Sequence, residues 1–513
     1  MSLVKSTLTV GFFTFLSRIS GFVRDVLMAN LLGAGVLSDA FFVAFKLPNF
    51  FRRLFAEGAF NAAFIPSFSS ILTSDGREAA IKFAGEVMSV LLLVLLVLNA
   101  IFILFMPWIT PIFAPGFTDT PEKFNLTVAL SQITFPYILF ISLVSLLGGI
   151  LNSMGKFAAP AASPILLNLC MIGGLLWLVG FSETPAHALA YAVFIAGLVQ
   201  LGWLVMICLR HDMMPPLTPP RLTKQVKTML LLMAPAALGS GVQQMNLLID
   251  VIIASHIPSA VSYLYYADRI TELPIGMIGV AVGTVLLPMM SKHIRSGKLD
   301  EARASMNRAL ELVLLFGLPC TAALCVIAEP IIRVLYQHGA FTPTDMAETV
   351  PTLMAFTFGL PAFLAVKVLA PGFFANHDTK TPFKIALVCV AVNLVLNLTL
   401  SGPFKQVGMA AATSIAGWVN VAVMGYILHT RGLFVPDALL KKRVMKMLAA
   451  SGIMAVALLL SEGYFADFYA ADMGMKVLAL SGTIAIGMAV YGASVLLLKA
   501  YDASLMMKLV RRR

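Results

Sequence analysis

Apolar residues fall into about fourteen long blocks, and each approaches the ~20 residues that a helix needs to cross a ~30 Å hydrocarbon core. The blocks lie at 7–32, 36–57, 84–112, 126–151, 161–181, 186–209, 229–255, 260–289, 309–337, 348–375, 382–401, 407–430, 444–462 and 475–498. Short polar stretches separate them. The pattern predicts an all-α polytopic membrane protein of about 14 transmembrane helices. One stretch departs from it. Residues 18–53, RISGFVRDVLMANLLGAGVLSDAFFVAFKLPNFFRR, read as two helices joined by Gly33-Ala34-Gly35. Yet they carry Arg18, Arg24, Asp25, Asp39 and Lys46 at membrane depth, and Arg52-Arg53 at the end. A central Arg or Lys costs roughly 2.5–3.5 kcal/mol on insertion scales, so such a cluster implies a wet cavity or a charged ligand.

Composition sharpens the class. Of 513 residues 59% are hydrophobic and only 12% charged, with mean hydropathy +0.91. Soluble domains carry about 25% charged residues. The net charge of +11 reads as loops held to anionic lipid, with no nucleic acid partner implied. Cys170, Cys208, Cys320, Cys325 and Cys389 all lie in apolar runs without a CxxC pair, as small packing residues. The first apolar block, interrupted by Arg18 and Arg24, makes a poor leader core.

Loop charges set the expected orientation. Alternate loops hold Arg77 and Lys82, Lys156, the Arg210–Lys227 group, the Lys292–Arg308 group, Lys380 and Lys384, and Arg431 with Lys441 to Arg443. The opposite loops hold Lys123, Lys405 and Lys476 and are otherwise acidic, with Asp119, Glu122, Glu183, Asp345, Glu348, Glu462, Asp467 and Asp472. By the positive-inside rule both termini, including Arg511 to Arg513, are expected in the cytoplasm.

The chain also repeats. Leu47-Pro48 recurs as Leu273-Pro274, Gly116-Phe117-Thr118 as Gly339 with Phe341-Thr342, Pro136 as Pro361, and Gly149 to Asn152 as Gly372 to Ala375. Four matches in one order at nearly one offset predict two homologous six-helix lobes, 1–220 and 221–435, in parallel orientation. Two extra helices and a tail follow at 436–513. Such lobes are the architecture of a secondary transporter, with substrate near the midplane between them.

The charges then define a candidate site. Arg18 lies ~16 Å along the first helix and Arg24 ~9 Å further. Arg18, Gly21 and Asp25 share a face, so a bend at Gly21 is one way to turn both arginines to one cavity. An Arg18–Asp25 pair is the self-neutralising alternative. Arg52 and Arg53 read equally as headgroup anchors or as substrate-admitting cations, with Glu57 a partner for one of them. In the second lobe Asp268 and Glu272 share a face at i, i+4, leaving Arg269 as the expected free cation. Lys367 is a lone cation after Pro361, open to an acid partner or to ligand contact, and Arg333 reads as snorkelling. A cavity of Arg18, Arg24 and Arg269, with Lys46 and Lys367, suits anions, and the planar guanidinium fork suits a diphosphate. A weaker constellation, Asp250 with Asn393, Asn397 and Thr413, is a candidate sodium site, with interhelical hydrogen bonding the blander reading. No P-loop, metal-ligand cluster or nucleophile–base pair is evident, and the seven histidines are scattered, so no enzyme activity and no cofactor is expected.

These residues carry a resemblance. SRISGFVRD, DAFFVAFKLPNFFRRLFAEGAFNAAFIP, APGFTDT, ITFPYILFISLVSLLGGILN, YYADRITELPIGMIGVAVGTVLLP and VKVLAPGFFA are similar to the MurJ/MviN family. Its members are lipid II flippases of the multidrug/oligosaccharidyl-lipid/polysaccharide exporter superfamily. The resemblance covers nearly the whole chain, and residues 39–66 are its most specific block. It implies a substrate, undecaprenyl-diphosphate bearing the peptidoglycan disaccharide-pentapeptide, moved outward across a bacterial inner membrane. It further implies membrane lipids and the cell-wall synthesis machinery as partners. Arg18, Arg24 and Arg269 match cavity arginines, Arg52 a required cytoplasmic-side arginine, Asp39 an outer-gate residue, and Glu272 and Lys367 other important charges. The last two helices match a groove for the polyprenyl tail. Asn397 stands where the family's sodium-site pattern can carry Asp.

Alternating access without chemistry on the substrate is the expected mechanism, with the membrane potential or sodium as driving force. A flippase for another polyprenyl-diphosphate oligosaccharide would share these arginines. A multidrug antiporter would want an acidic or aromatic cavity, a membrane glycosyltransferase a larger loop domain with an acidic motif, and a scaffold no buried cations.

Overall fold

The computed structural model describes residues 3–53, 58 and 60–501, without the side chains at 3–8, 234–240, 242–243, 280–281 and 284–285. Glu57 and the tail arginines Arg511 to Arg513 lie outside the described residues. Among those described, the regular secondary structure is helical throughout. Each of the fourteen apolar blocks is occupied by helix, so the chain is an all-α polytopic membrane protein. The boundaries depart from the expected ones where proline, glycine or charge intervenes.

Helix α1 (Leu3–Leu32) runs unbroken through Gly21 and ends at Gly33, whose φ of +63° makes the turn. Helix α2 (Val36–Phe51) starts on Gly35, whose N–H donates to the Ser38 hydroxyl at 2.8 Å. The expected loop after residue 57 instead holds α3 (Phe60–Ser74). Its Phe60, Phe64 and Phe68 form an i, i+4, i+8 stripe whose Phe64 stacks on Phe83 of α4 (Gly76–Phe113). The block at 126–151 is two helices, α5 (Pro121–Thr134) and α6 (Tyr137–Ser153), broken beside Pro136, which has no N–H to give. Helix α7 (Ala158–Gly173) continues through a π-turn and a short 3-10 turn to Phe181, and an extended bend at Ser182–Thr184 leads to α8 (Pro185–Arg210).

Helix α9 (Lys224–Ser255) is followed by α10 (Ala260–Pro274), a π-turn at Ile275–Gly279, and α11 (Val280–Arg295). Helix α12 (Leu299–Val326) begins ten residues before its apolar block, with Asp300 and Glu301 in the first turn where the helix dipole favours them. Then come α13 (Ala328–Leu335), α14 (Pro343–Thr357) and α15 (Leu360–Phe374). The last two are broken just ahead of Pro361, the counterpart of Pro136 in the repeat. The blocks at 382–401 and 407–430 form one helical run, α16 (Lys380–Thr430), reversing at Lys405 with φ +48°. A Cβ on Gly408 would stand 2.3 Å from the Leu400 carbonyl oxygen, so only glycine lets the arms close there. The ends of this hairpin are clasped by Asp378, which accepts from Thr381 and from Arg431 at 2.6 Å. Those two donors hold its carboxyl well below the usual range. Helices α17 (Ala438–Tyr464), α18 (Ala466–Ala470) and α19 (Met473–Leu497) complete the chain.

Nine segments among the described residues are long and apolar enough to cross a membrane on a strict test. The charge-bearing α1, α2 and α10 are not among them. Leu460, Leu497 and Phe181 stand more than two-thirds exposed, a surface that suits hydrocarbon and not water. The contacts divide the chain into two compact units, residues 1–262 with 339–341, and residues 263–338 with 342–513.

In the second unit α17 packs along α12 around a buried charge cluster that the sequence reading missed. The Glu311 side chain is fully buried and accepts from Arg308 and, at 2.7 Å, from Arg443 of α17. Arg308 also pairs with Asp437, which caps α17 through the Leu440 N–H. Tyr491 of α19 donates to the Leu315 carbonyl at 2.6 Å. These bonds fasten the C-terminal helices to α12. Glu311→Ala leaves two arginines without their shared anion. It should destabilise the detergent-purified protein by about 3–5 kcal/mol, lower its thermal midpoint, and raise hydrogen exchange in α17 first.

Candidate functional site

In the first unit the charged stretch sits on the seam between α1 and α7. Arg24 and Asp25 are 6% and 3% exposed. Arg24 directs Nε and Nη2 at one Asp25 oxygen, 3.0 and 2.7 Å away, and Nη1 at the Asn168 Oδ1 at 2.9 Å. Asn168 in turn donates its amide to the Ser17 carbonyl at 2.9 Å and the Ser20 hydroxyl at 3.1 Å. Gly21 stands opposite, where a Cβ would meet the Asn168 side chain at an ordinary contact distance of 3.4 Å. No break in α1 accompanies Gly21. The alternative Arg18–Asp25 pair is not formed, because Asp25 is taken by its neighbour Arg24. Arg18 is half-buried and makes no hydrogen bond or ion pair among the described residues.

Further along, Lys46 and Arg53 are exposed, and Arg52 is half-buried with Nε on the Asn49 side-chain oxygen at 3.0 Å. At the end of the unit where α1 turns into α2, Asp39 is completely buried. Lys123 of α5 reaches it at 2.6 Å, and the Ser262 N–H at 2.9 Å. The Ser262 hydroxyl lies 2.5 Å from the same Asp39 oxygen and 2.8 Å from the Ser38 hydroxyl. Lys123, read from the sequence only as a loop cation, also sits 4.0 Å over the Phe117 ring. Two backbone approaches flank this cluster. Ala340 donates to the Asn30 carbonyl at 2.8 Å, and Gly116 to the Ser255 hydroxyl at 3.0 Å. Gly33 and Gly339 both have positive φ, and a Cβ on either would stand within 2.3 Å of the facing chain.

In the second unit Arg269 is not the free cation expected. It pairs with Glu272 at 2.8 Å, reaches the Tyr265 hydroxyl at 3.2 Å and lies 4.9 Å over the Tyr265 ring. The i, i+3 spacing brings Glu272 to Arg269, while Asp268 stands exposed. Lys367 is exposed and has no hydrogen bond or ion pair among the described residues; Gly279 at the π-turn leaves room for its stem. Asn397 donates to Asn393 at 2.8 Å, and Asn393 to the Thr413 hydroxyl at 3.2 Å. The Asn393 oxygen and the Thr413 hydroxyl thus accept amide N–H groups, and the second of these bonds joins the two arms of α16. Asp250 is half-buried on α9 in the first unit. Among the described residues no cluster of three His, Cys, Asp or Glu suited to a metal occurs.

The sequence profile of a family described as "Lipid II flippase MurJ" matches residues 28–480. A Rhizobium tropici protein named "Probable lipid II flippase MurJ" is 41% identical across all of this chain and 97% of its own length. A solved structure described as "Lipid II flippase MurJ, inward closed conformation" is similar at TM-score 0.80 and 29% identity, covering 95% of this chain and 98% of that one. An inward-facing multidrug resistance MATE family transporter of the MOP superfamily shares the fold at TM-score 0.69 and 13% identity, over 83% of this chain and 97% of its own. The chain belongs to the MurJ family, whose members are named for moving a lipid and not for catalysis.

The Asp39 cluster yields a direct test. Lys123→Met strands a buried carboxylate and should cost about 3–5 kcal/mol, while Asp39→Asn combined with Lys123→Met should recover much of that loss. A double-mutant cycle on thermal stability measures the coupling.

Proposed function

We propose that the chain is a lipid II flippase. It carries undecaprenyl-diphosphate-linked peptidoglycan precursor from the cytoplasmic to the periplasmic leaflet of a bacterial inner membrane. The observation that carries this reading is its full-length correspondence, at 41% identity, to a relative bearing that name. The intramembrane cations supply the matching chemistry.

In this reading residues 1–220 and 221–435 are two lobes that alternate access around the headgroup, and 436–513 supports the polyprenyl tail. Both termini are cytoplasmic. The diphosphate meets Arg18 first, since no acid among the described residues holds it. Arg24 then exchanges part of its bonding from Asp25 and Asn168 to phosphate oxygens, and Arg269 does the same from Glu272. Guanidinium suits this exchange because its five N–H groups can serve two acceptors at once. Arg52, Arg53 and Lys46 line the route inward, and Lys367 adds charge from the second lobe. The Asp39–Lys123–Ser262 cluster, with Gly33 and Gly339, closes the periplasmic end until the substrate is bound.

An inside-negative potential favours outward movement of the anion by about 2.3 kcal/mol per charge per 100 mV. Sodium at Asp250, Asn393, Asn397 and Thr413 is the ionic alternative; on α16 Asn397 donates to Asn393 and Asn393 to Thr413, and no step is routed through a cation. Cell-wall synthesis enzymes are the expected consumers of the product.

The test is complementation in a bacterium whose own flippase is depleted, reading lipid II exposed on the outer leaflet. The wild-type chain should restore exposure. Arg24→Glu and Arg269→Glu should insert normally and fail, and the corresponding lysine variants should be intermediate. Restored export of another polyprenyl-linked glycan without lipid II would transfer the activity to that substrate. Wild-type flipping by either glutamate variant would refute the cavity.

A further inference from the structure

The seam between α1 and α7 is closed at one end and open at the other. Asn168 stitches it at Ser17, Ser20 and Arg24. On the same face of α1, Thr9, Phe13 and Leu16 precede Ser20 at helical spacing. There the two helices part around a groove of about 580 Å³ in the first unit, walled by Phe157, Leu166 and, from α8, Trp203 and Ile207. From Thr9 to Leu16 it follows α1 for ~10 Å. Trp203 already donates its indole N–H to the Ala159 carbonyl at 3.3 Å, so its ring is left as apolar wall. Among the described residues only two lining side chains are ionisable, Lys156 and His211, and no carboxylate lines the groove. Both stand where helices end, Lys156 ahead of α7 and His211 just after α8.

We infer that this groove binds one acyl chain of an anionic phospholipid, with the lipid phosphate at Lys156 and His211. Each part of the site selects for that ligand. Between Thr9 and its charged mouth the trough is apolar and faces a bilayer, offering water few partners, so it fills with hydrocarbon. Lys156 and His211 at its mouth lie at the end of the helices that the loop charges place on the cytoplasmic side, where anionic lipids concentrate. Without a carboxylate to answer Lys156, the phosphate is its natural counter-ion. A chain wedged here props the first half of α1 away from α7 while Asn168 holds the second half, so the lipid sets how far the α1–α7 seam can close. The substrate itself has no part in this site.

The full-length protein, with Trp108, Trp177 and Trp418 replaced by Phe, is reconstituted in phosphatidylcholine vesicles. Rising fractions of chain-brominated phosphatidylglycerol or chain-brominated phosphatidylcholine are added, and Trp203 emission is read. Quenching should half-saturate at about fivefold less of the anionic lipid, the effect of one cation near an anionic headgroup. Lys156→Gln should erase that preference, and Lys156→Arg should keep it. Ala162→Phe, which fills the groove, should cut quenching by both lipids while leaving helix content unchanged. Equal quenching by the two lipids in the unsubstituted groove would overturn the proposal, leaving only bulk bilayer contact. Relief of quenching by undecaprenyl phosphate equimolar with protein would overturn it as well, giving the groove to the transported lipid.

Discussion

A charge below the membrane surface needs either a counter-charge or water, and the architecture of this chain follows from how that demand is met. Three buried clusters meet it with partners. Arg24 and Asp25 neutralise each other on the α1–α7 seam. Asp39 and Lys123 do so where α2 meets α5. Glu311 collects Arg308 and Arg443 where α12 meets α17. Each cluster joins helices far apart in sequence, and none adds a large net charge to its surroundings. Two cations, Arg18 in the first unit and Lys367 in the second, have no such partner among the described residues. Uncompensated cations persist in a membrane only where water or an anionic ligand reaches them. In the proposed function these two exceptions are therefore the cations readiest to take an anionic headgroup.

The helices were legible because hydropathy is a local signal that the bilayer enforces along the whole chain. The break beside Pro136 was also written locally, in a residue that cannot donate. Helix α3 was readable in retrospect from Phe60, Phe64 and Phe68, but its length is too short to span, so a span-length criterion passed over it. Partners were another matter. Nothing near Asp39 names Lys123, 84 residues on, and nothing near Arg24 names Asn168, 144 residues on. Such pairs are settled by which helices lie side by side. Arg269 shows a subtler failure. Glu272 sits at both i+3 from Arg269 and i+4 from Asp268, and spacing alone does not decide between them. Electrostatics does, because an Arg–Glu pair attracts and an Asp–Glu pair repels.

Glycine does for the backbone what paired charges do for side chains. At Gly33, Gly339 and Gly408 the facing chain comes so near that any side chain would collide. In a membrane, where burying apolar surface between helices gains little over lipid, such close approach is a main source of attraction. It is also easily reversed, since contacts between backbone atoms need no charge to be desolvated or exposed.

That reversibility bears on the Asp39 cluster in the proposed transport cycle. If Ser262 were the sole partner of Asp39, parting them would strand a carboxylate in a medium that penalises it heavily. Lys123 changes this balance. It stands on α5, which packs directly against α2, so the ion pair travels with the carboxylate whichever way Ser262 moves. Opening then forfeits the hydrogen bonds from Ser262, each worth about 1.5–3 kcal/mol when the acceptor is charged, and leaves the ion pair intact. In the proposed cycle a closure of that strength holds at rest and still yields to the binding energy of a diphosphate. A closure whose only ion pair ran across the parting surfaces would not yield so readily.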